Sequence, residues 1–442
     1  MFHLKMNRND LKVIGLLALP VMVETVLQTL LGTVDTFFAG QISDDAIAAV
    51  GVTNLIVNIF IAFFTAVSVG TLAVIGRCVG RSDAERGNRA LQQSFLLSFF
   101  IGIIVGALNL LFYRPILEIS GAGEDILVYA IPYYMVVVVP IVFLCLSLVL
   151  SSCLRATKDN VTPMVATGIA NVLNILFNIF FIKLGLGIMG LALATTLSRA
   201  FGVGILFIWL TKGTGFLRLP LRGWGVDVEM IRSILRIGVP AGGEKFIMRA
   251  GQLVYGAMIL SIGSYAYVAH NIAGTIENYT YIPSMGFGVA AATLVGIGLG
   301  ENNPEKVHRM ALAANALSTI FMVSMGIIIF IFAPFFAAAF SSTPEVQMLT
   351  VGVLRMIAFF QPCSAITQVI ESALQGAGDT RYPMFLTLFG IWGIRVCIGY
   401  FLGIICGFGL IGVWTAYIID ISVRGFLLLR RFNGGKWQMV AI

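Results

Sequence analysis

Charge is the scarcest property of this sequence. Only 11% of its 442 residues are Asp, Glu, Lys or Arg, against roughly 25% in an ordinary soluble domain. Hydrophobic residues make up 58%, and the mean hydropathy is +0.95. This composition excludes a soluble globular domain, a disordered chain, a coiled coil and a secreted disulfide scaffold. The apolar runs are long and do not alternate, which argues against a membrane β-barrel and for an all-α integral membrane protein.

Residues that carry common enzyme chemistry are also few. The three His residues are far apart and have no metal-ligand spacing, and no nucleotide-binding loop is visible. The six Cys residues fall in apolar segments or at their cytoplasmic edge, so we expect no structural disulfides. The first apolar run is too long for a cleavable signal peptide. The sequence predicts no enzyme, no cofactor and no metal site.

Twelve stretches are apolar over the roughly 20 residues that a bilayer-crossing helix needs. They are 13–39, 46–76, 90–113, 126–153, 161–182, 186–210, 234–262, 265–299, 309–338, 346–374, 383–404 and 409–429. Several exceed the length of a perpendicular crossing, which predicts tilted or kinked helices.

Lys and Arg are distributed unevenly between the predicted loops. With the N-terminus placed in the cytoplasm, 20 of the 28 fall on the cytoplasmic side, and the outer side receives Arg114 and Lys183. This excess sets the orientation of a membrane protein, so we expect both termini to be cytoplasmic. It also accounts for the net charge of +7 without nucleic acid as a partner. We expect a multi-pass protein of the plasma or inner membrane.

The chain partly matches itself when it is shifted by 220 residues. Pairs related in this way include Pro20 and Pro240, Glu24 and Glu244, Gly80 and Gly300, Asp159 and Asp379, and Pro163 and Pro383. The repeat predicts an N-terminal six-helix lobe (1–212), a cytoplasmic linker (213–224) and a C-terminal six-helix lobe (225–442). Repeated halves are typical of secondary transporters, whose binding sites lie at the repeat interface. A duplicated channel or scaffold is the alternative.

Polar residues recur on single faces of the N-terminal helices. The first helix carries Glu24, Gln28, Gly32 and Asp35, the fifth carries Asn171, Asn174 and Asn178, and the second carries Asn54 and Asn58. We expect them to line a polar cavity in which Asp35 is the main acid. Burial favours its protonated form, while amide and hydroxyl donors favour the carboxylate, so it could bind and release a proton near neutral pH. The alternative is that Asp35, near the outer helix end, contacts only backbone or water. Pro20 could act as a hinge in the same helix.

The C-terminal half has polar faces of its own. As residues of a substrate cavity we expect Met248, Gln252, Tyr255, Glu277, Tyr281, Gln361, Ser364, Gln368 and Glu371. Structural ion pairs, such as one between Arg395 and Asp420, are the simpler interpretation of most buried charges there.

Several short motifs resemble the multidrug and toxic compound extrusion (MATE) family, and the bacterial DinF-like branch most of all. They are Leu19-Pro20, Val34-Asp35-Thr36 followed by Phe38-Ala39-Gly40, Ala48-Ala49-Val50-Gly51, Gly76 with Gly80, and Leu374-Gln375-Gly376-Ala377-Gly378-Asp379-Thr380. The resemblance implies twelve helices in two pseudo-symmetric six-helix bundles around a V-shaped cavity. It also implies export of cationic or amphipathic compounds in exchange for H⁺ or Na⁺.

The resemblance also suggests roles for residues. Asp35 matches the family's first-helix acid and Pro20 its bending proline, while Asn174 and Thr196 match the polar neighbours of the acid. Some relatives have a second acid where this chain has Asn178. The Na⁺-coupled branch has carboxylates on helices seven and ten, where Met248 and Ser364 stand here. These departures favour H⁺ on Asp35, although Na⁺ in the first half stays open.

We therefore predict a secondary active antiporter, functional as a monomer, that exports lipophilic or cationic drugs in exchange for H⁺. Asp35 is the predicted coupling residue, supported by Asn171, Asn174, Asn178 and Thr196. A lipid-linked precursor flippase of the same superfamily is the alternative. Such a flippase should have a strongly cationic cavity, whereas the predicted cavity is lined by acids and amides.

Overall fold

The computed structural model describes residues 8–220 and 222–440, and their regular structure is helical throughout. The α-helices are α1 (Arg8–Gly40), α2 (Asp44–Gly80), α3 (Ala84–Ile119), α4 (Glu124–Val137), α5 (Val142–Ala156), α6 (Val161–Lys183), α7 (Gly187–Lys212), α8 (Val228–Ile262), α9 (Ser264–Gly300), α10 (Pro304–Phe340), α11 (Pro344–Phe359), α12 (Gln361–Gly376), α13 (Arg381–Leu388), α14 (Cys397–Tyr400) and α15 (Gly409–Asn433). Two π-helical stretches, Phe389–Val396 and Phe401–Ile405, flank α14, and a 3₁₀ turn covers Lys436–Met439.

The predicted all-α membrane fold is confirmed. Within the described ranges, nine helical segments are long and apolar enough to cross a bilayer, and two further crossings are bent pairs. The bend is 47° between α4 and α5 and 57° between α11 and α12. Together with α8, which has 35 residues and carries several charges, these segments correspond one to one with the twelve predicted spans.

Large apolar side chains are exposed along many of these helices. Leu111 is 71% exposed, Phe335 68% and Leu253 75%. Such exposure would be unfavourable in water and is what lipid-facing positions require, because the surrounding hydrocarbon is as apolar as the side chains.

Contacts divide the chain into two compact units. One unit is Val23–Gly242, called here the 23–242 unit; the other, called the C-terminal unit, joins the described residues up to Met22 with those from Gly243 onward. The boundaries fall inside α1 and α8. This contact-based division differs from the sequence-based lobes (1–212 and 225–442), because the first part of each of these two helices belongs with residues distant in sequence.

Close approach of helices at small residues shapes both units. In the 23–242 unit, a Cβ on Gly106 would lie 2.2 Å from the carbonyl oxygen of Val139. In the C-terminal unit, a Cβ on Gly376 would lie 2.3 Å from the carbonyl oxygen of Ala292, where α12 crosses α9. Small residues are the usual means of packing helices tightly in membranes, where the hydrophobic effect does not drive one helix against another.

The predicted internal repeat is visible in local conformation. Ser82 and Asn302, 220 residues apart, both adopt left-handed backbone, with φ of 56° and 55°. The residues that follow them, Asp83 and Asn303, each cap the next helix by accepting a hydrogen bond at 3.0 Å from the backbone amide three residues on. The two halves of the sequence therefore use the same turn and cap between equivalent helices.

Candidate functional site

Asp35 lies in the interior of the 23–242 unit and is only 2% exposed. The hydroxyl of Thr195 donates a hydrogen bond to its Oδ2 at 2.8 Å. On the other carboxyl oxygen, Oδ1, the side-chain amide of Asn174 donates at 3.3 Å and that of Asn178 at 3.5 Å. Asp35 forms no ion pair with the described residues, so uncharged donors hold it.

Three helices bring this site together. Asp35 is on α1, and the two amides are on one face of α6, one turn apart. Nδ2 of Asn178 also lies 3.1 Å from Oδ1 of Asn174, which fixes the two amides relative to each other. Thr195 comes from α7. The structure thus joins Asp35 with Asn174 and Asn178, which sequence spacing had placed on two separate helix faces.

The hydroxyl beside Asp35 belongs to Thr195, and the prediction of Thr196 at this position is wrong. The hydroxyl of Thr196 donates to the backbone carbonyl of Val136 at 2.6 Å. Adjacent residues of a helix point about 100° apart, so only one of the two threonines can face α1. The family resemblance had assigned the neighbouring residue, one position too far along α7.

Other predicted cavity residues of the 23–242 unit lie apart from Asp35. The amide of Asn171 donates to the carbonyl oxygen of Leu27 at 2.6 Å. Gln28 donates to Glu24 at 3.3 Å, next to the ion pair that Glu24 forms with Arg155 at 2.7 Å. These contacts belong to the packing of α1.

The structure shows no hydrogen bond between Asp35 and the predicted residues Asn54, Asn58 and Pro20. Asn54 is half-buried and Asn58 is exposed, and neither hydrogen-bonds Asp35. Pro20 is buried within α1, which runs as one helix from Arg8 to Gly40. The hinge at Pro20 stays a prediction.

Two residues that the sequence did not single out also act on Asp35. Arg199, one turn after Thr195 on α7, is within range of Coulombic attraction to the carboxylate. Within the described residues its side chain makes no hydrogen bond or ion pair, and it acts on Asp35 and Tyr133 through Coulombic attraction. Tyr133 on α4 is 1% exposed and interacts electrostatically with both Asp35 and Arg199. The only sequence signal for Arg199 is its spacing, four residues after Thr195 on the same helix. That signal is weak, because the predicted spans contain several Arg residues near polar positions.

In the C-terminal unit, Glu277 and Tyr281 form one cluster with Tyr417. The Tyr417 hydroxyl donates to Oε1 of Glu277 at 2.6 Å, and the hydroxyls of Tyr281 and Tyr417 are 3.1 Å apart. Gln361 lies near this cluster and donates to Thr280 at 3.4 Å. Ser364 also lies within hydrogen-bonding range of Tyr281, so four of the predicted cavity residues lie in one region.

Glu371 belongs to a different cluster. It accepts a hydrogen bond from Lys245 at 2.8 Å, beside the buried Glu244. The other predicted cavity residues are dispersed. Tyr255 donates to the carbonyl oxygen of Val413 at 2.9 Å, Gln252 is exposed and accepts from Arg249 at 3.1 Å, and Met248 and Gln368 are half-buried.

The predicted ion pair between Arg395 and Asp420 is confirmed. Nη2 of Arg395 lies 2.7 Å from Oδ2 of Asp420, which is fully buried. Arg424 contacts the same carboxylate at 2.8 Å. One acid thus holds two guanidinium groups, which is a structural arrangement rather than a cavity for cations.

Asp35 is a buried acid that uncharged donors hold. A buried carboxylate without an ion pair is costly, so its charge is readily exchanged for a proton. The Thr and Asn donors limit that cost by stabilising the anion. Oδ1 of Asn178 is buried and has no hydrogen-bond partner among the described residues. The site can therefore alternate between a neutral and a negative state within an otherwise packed helix interface.

The MatE family profile matches residues 20–180 and 240–401, the two halves of the repeat. A probable multidrug resistance protein NorM from Thermotoga maritima is 34% identical over 434 residues, covering 96% of this chain and 93% of that protein. An outward-facing MATE transporter of the MOP superfamily aligns with a TM-score of 0.89 at 24% identity, covering 96% of each chain. A MATE crystal structure in the bent conformation gives a TM-score of 0.90 with the same identity and coverage.

Proposed function

Since the chain belongs to the MatE family of multidrug and toxic compound extrusion transporters, we propose that it is an antiporter that exports lipophilic or cationic compounds in exchange for H⁺. The observation that carries the proposal is the environment of Asp35. This acid is buried, has no ion pair with the described residues, and is held by the uncharged donors Thr195, Asn174 and Asn178.

Exchange follows from competition for one negative charge. When Asp35 is ionised, the 23–242 unit has a carboxylate that attracts a cationic compound. When a proton binds, that attraction is lost, and the hydrogen bonds from Thr195 and the two amides weaken because their acceptor is now neutral. Proton and compound then favour different states, and a proton gradient can drive export in a cyclic process. The membrane potential adds to the inward force on the proton.

The plasma or inner membrane is the proposed location, with both termini in the cytoplasm. The chain is proposed to act as a monomer without a cofactor. Na⁺ is the competing coupling ion, because it binds carboxylate and amide oxygens such as the unpaired Oδ1 of Asn178. Sodium must therefore be varied separately from pH in any test.

Transport into everted membrane vesicles tests this proposal. We expect an imposed pH gradient, acid inside, to drive uptake of a fluorescent lipophilic cation by the unaltered protein in sodium-free buffer. Asp35→Asn should reduce this uptake to the level of empty vesicles. Asp45→Asn makes the same chemical change at an exposed position on α2 and should leave uptake intact.

Two outcomes contradict the proposal. Proton-driven uptake that survives Asp35→Asn would remove Asp35 from the coupling step. Uptake that needs an imposed sodium gradient and ignores pH would assign coupling to Na⁺ instead.

A further inference from the structure

The internal repeat places an ion pair in one unit and an uncharged contact in the other. In the 23–242 unit, Nη2 of Arg155 donates to Oε2 of Glu24 at 2.7 Å. The residues 220 positions later are Gln375 and Glu244, and Nε2 of Gln375 donates to Oε2 of Glu244 at 3.1 Å. The contact is kept while the positive charge is absent.

Among the described residues, Glu244 lacks a directly contacting cation in place of the missing guanidinium, and the neighbouring Lys245 attracts its carboxylate only at longer range. Glu244 is 1% exposed and forms no ion pair with the described residues. Its second oxygen, Oε1, accepts a hydrogen bond from the hydroxyl of Thr387 at 3.0 Å. Both oxygens are thus held by uncharged donors on neighbouring helices.

A second carboxyl group stands next to it. The Gln375 amide that binds Glu244 also lies 3.4 Å from Oε1 of Glu371, so one nitrogen connects the two acids. Lys245 contacts Glu371 at 2.8 Å, and its side chain is 24% exposed while that of Glu371 is 8% exposed. One ammonium group, that of Lys245, therefore serves both acids, and Lys245 is the most exposed of these three side chains.

The other cation that acts on the pair is already engaged. Arg424 on α15 acts on Glu371 at longer range, but its guanidinium binds Asp420 at 2.8 and 3.0 Å. Arg395 binds the same Asp420. Two buried carboxyl groups that share one amide and one ammonium cannot both stay ionised at low cost, since each disfavours the charge of the other.

We propose that Glu244 and Glu371 together bind one exchangeable proton, which gives the C-terminal unit a protonation site of its own. The proton exchanges with water along the Lys245 side of the pair. This inference extends the proposed proton coupling, which rests on Asp35, by a second site that takes up and releases a proton independently of Asp35. The site belongs to the pair rather than to either acid alone.

Infrared difference spectroscopy on purified protein in lipid nanodiscs tests the proposal without any transport measurement. The spectrum of the Asp35→Asn protein in alkaline buffer is subtracted from its spectrum in acidic buffer, and the intensity of the carboxylic-acid C=O band gives the number of protons that the remaining acids take up. We expect the addition of Glu244→Gln to this protein to lower that number by one. If the count is unchanged by Glu244→Gln, the proposal is overturned.

The repeat supplies a reciprocal pair of variants. Gln375→Arg restores the guanidinium that the other half has, so it should hold Glu244 ionised and also remove one equivalent. Arg155→Gln removes the guanidinium from Glu24 and should add one equivalent. A Gln375→Arg protein that keeps the full count would overturn the assignment even if Glu244→Gln were poorly folded.

The results distinguish this site from the proposed function. Proton-driven transport that survives Asp35→Asn contradicts the role of Asp35 and leaves the proton count of the pair unaffected. Conversely, an unchanged count in Glu244→Gln contradicts the second site and leaves the role of Asp35 intact.

Discussion

The hydroxyl of Thr195 donates a 2.8 Å hydrogen bond to the carboxylate of Asp35, a residue 160 positions earlier in the chain. This bond stabilises the ionised form of the acid and contributes far less to the protonated form. Thr195 therefore sets how readily Asp35 takes up a proton.

Replacing Thr195 by Val keeps the shape of the side chain and removes the donor. A hydrogen bond to a charged group contributes about 1.5–3 kcal/mol, so we expect the pH profile of efflux to move about one to two pH units toward alkaline values. The measurement is initial uptake into everted vesicles across a pH series. Thr196→Val removes a hydroxyl that binds only the Val136 carbonyl, and its profile should stay where it was. An identical profile for Thr195→Val and the unaltered protein would contradict the role of the bond.

Arg199 acts on the same carboxylate through space. Its positive charge favours the ionised form of Asp35, so Arg199→Gln should also move the pH profile toward alkaline values. Arg199→Lys keeps the charge and should restore most of the original profile. Equal behaviour of the two variants would show that Arg199 acts by packing rather than by charge.

Asp420 holds both Arg395 and Arg424 in the C-terminal unit. Asp420→Asn would remove the carboxylate that directly contacts two buried guanidinium groups, and we expect the free energy of unfolding to fall by about 3–5 kcal/mol. Thermal unfolding in detergent, followed by tryptophan fluorescence, measures the loss. Glu301→Gln removes an exposed ion pair with Lys306 and should cost about 0–1 kcal/mol. Similar melting temperatures for the two variants would contradict a structural role for Asp420.

The crossing of α12 and α9 leaves no space at Gly376. Gly376→Ala places a methyl group against the backbone of Ala292, so we expect it to destabilise the protein by about 1–3 kcal/mol. In contrast, nothing lies within 4 Å of a Cβ at Gly256 on α8. Gly256→Ala should be neutral or slightly stabilising in the same thermal assay. Equal effects would indicate that helix propensity, rather than the crossing, determines the outcome.

Hydrophobic run length was sufficient to predict the membrane segments in the described part of the chain, because each crossing needs a long apolar segment whatever it packs against. Spacing on one helix face predicted Asn174 and Asn178 as partners of Asp35, but it also included Asn171, whose amide donates to the carbonyl oxygen of Leu27 instead. Sequence alone could not show whether Thr195 or Thr196 contacts Asp35. The answer depends on how α7 is rotated about its own axis, and packing against neighbouring helices determines that rotation.

Contacts between distant helices were harder to predict. Arg395 and Asp420 were recognisable as partners because a buried charge needs an opposite charge nearby. Glu371 was placed in a substrate cavity by its helix face, whereas its contact with Lys245 on α8 became visible only in three dimensions. The position of Arg199 beside Asp35 likewise depends on how α7 packs on α1.

The boundaries of the two compact units inside α1 and α8 have a consequence for biosynthesis. Residues 8–22 leave the ribosome long before the segments from Gly243 onward, with which they belong. The C-terminal unit therefore cannot reach its final packing until those later segments have been translated, and the 23–242 unit needs the opening turns of α8. If the chain were separated at 213–224 into two co-expressed fragments, each fragment would contain part of a helix that packs in the other compact unit. The first fragment would carry the start of α1, and the second would carry the start of α8. Transport activity would then require the two fragments to fold together, because neither fragment contains all the residues of one compact unit.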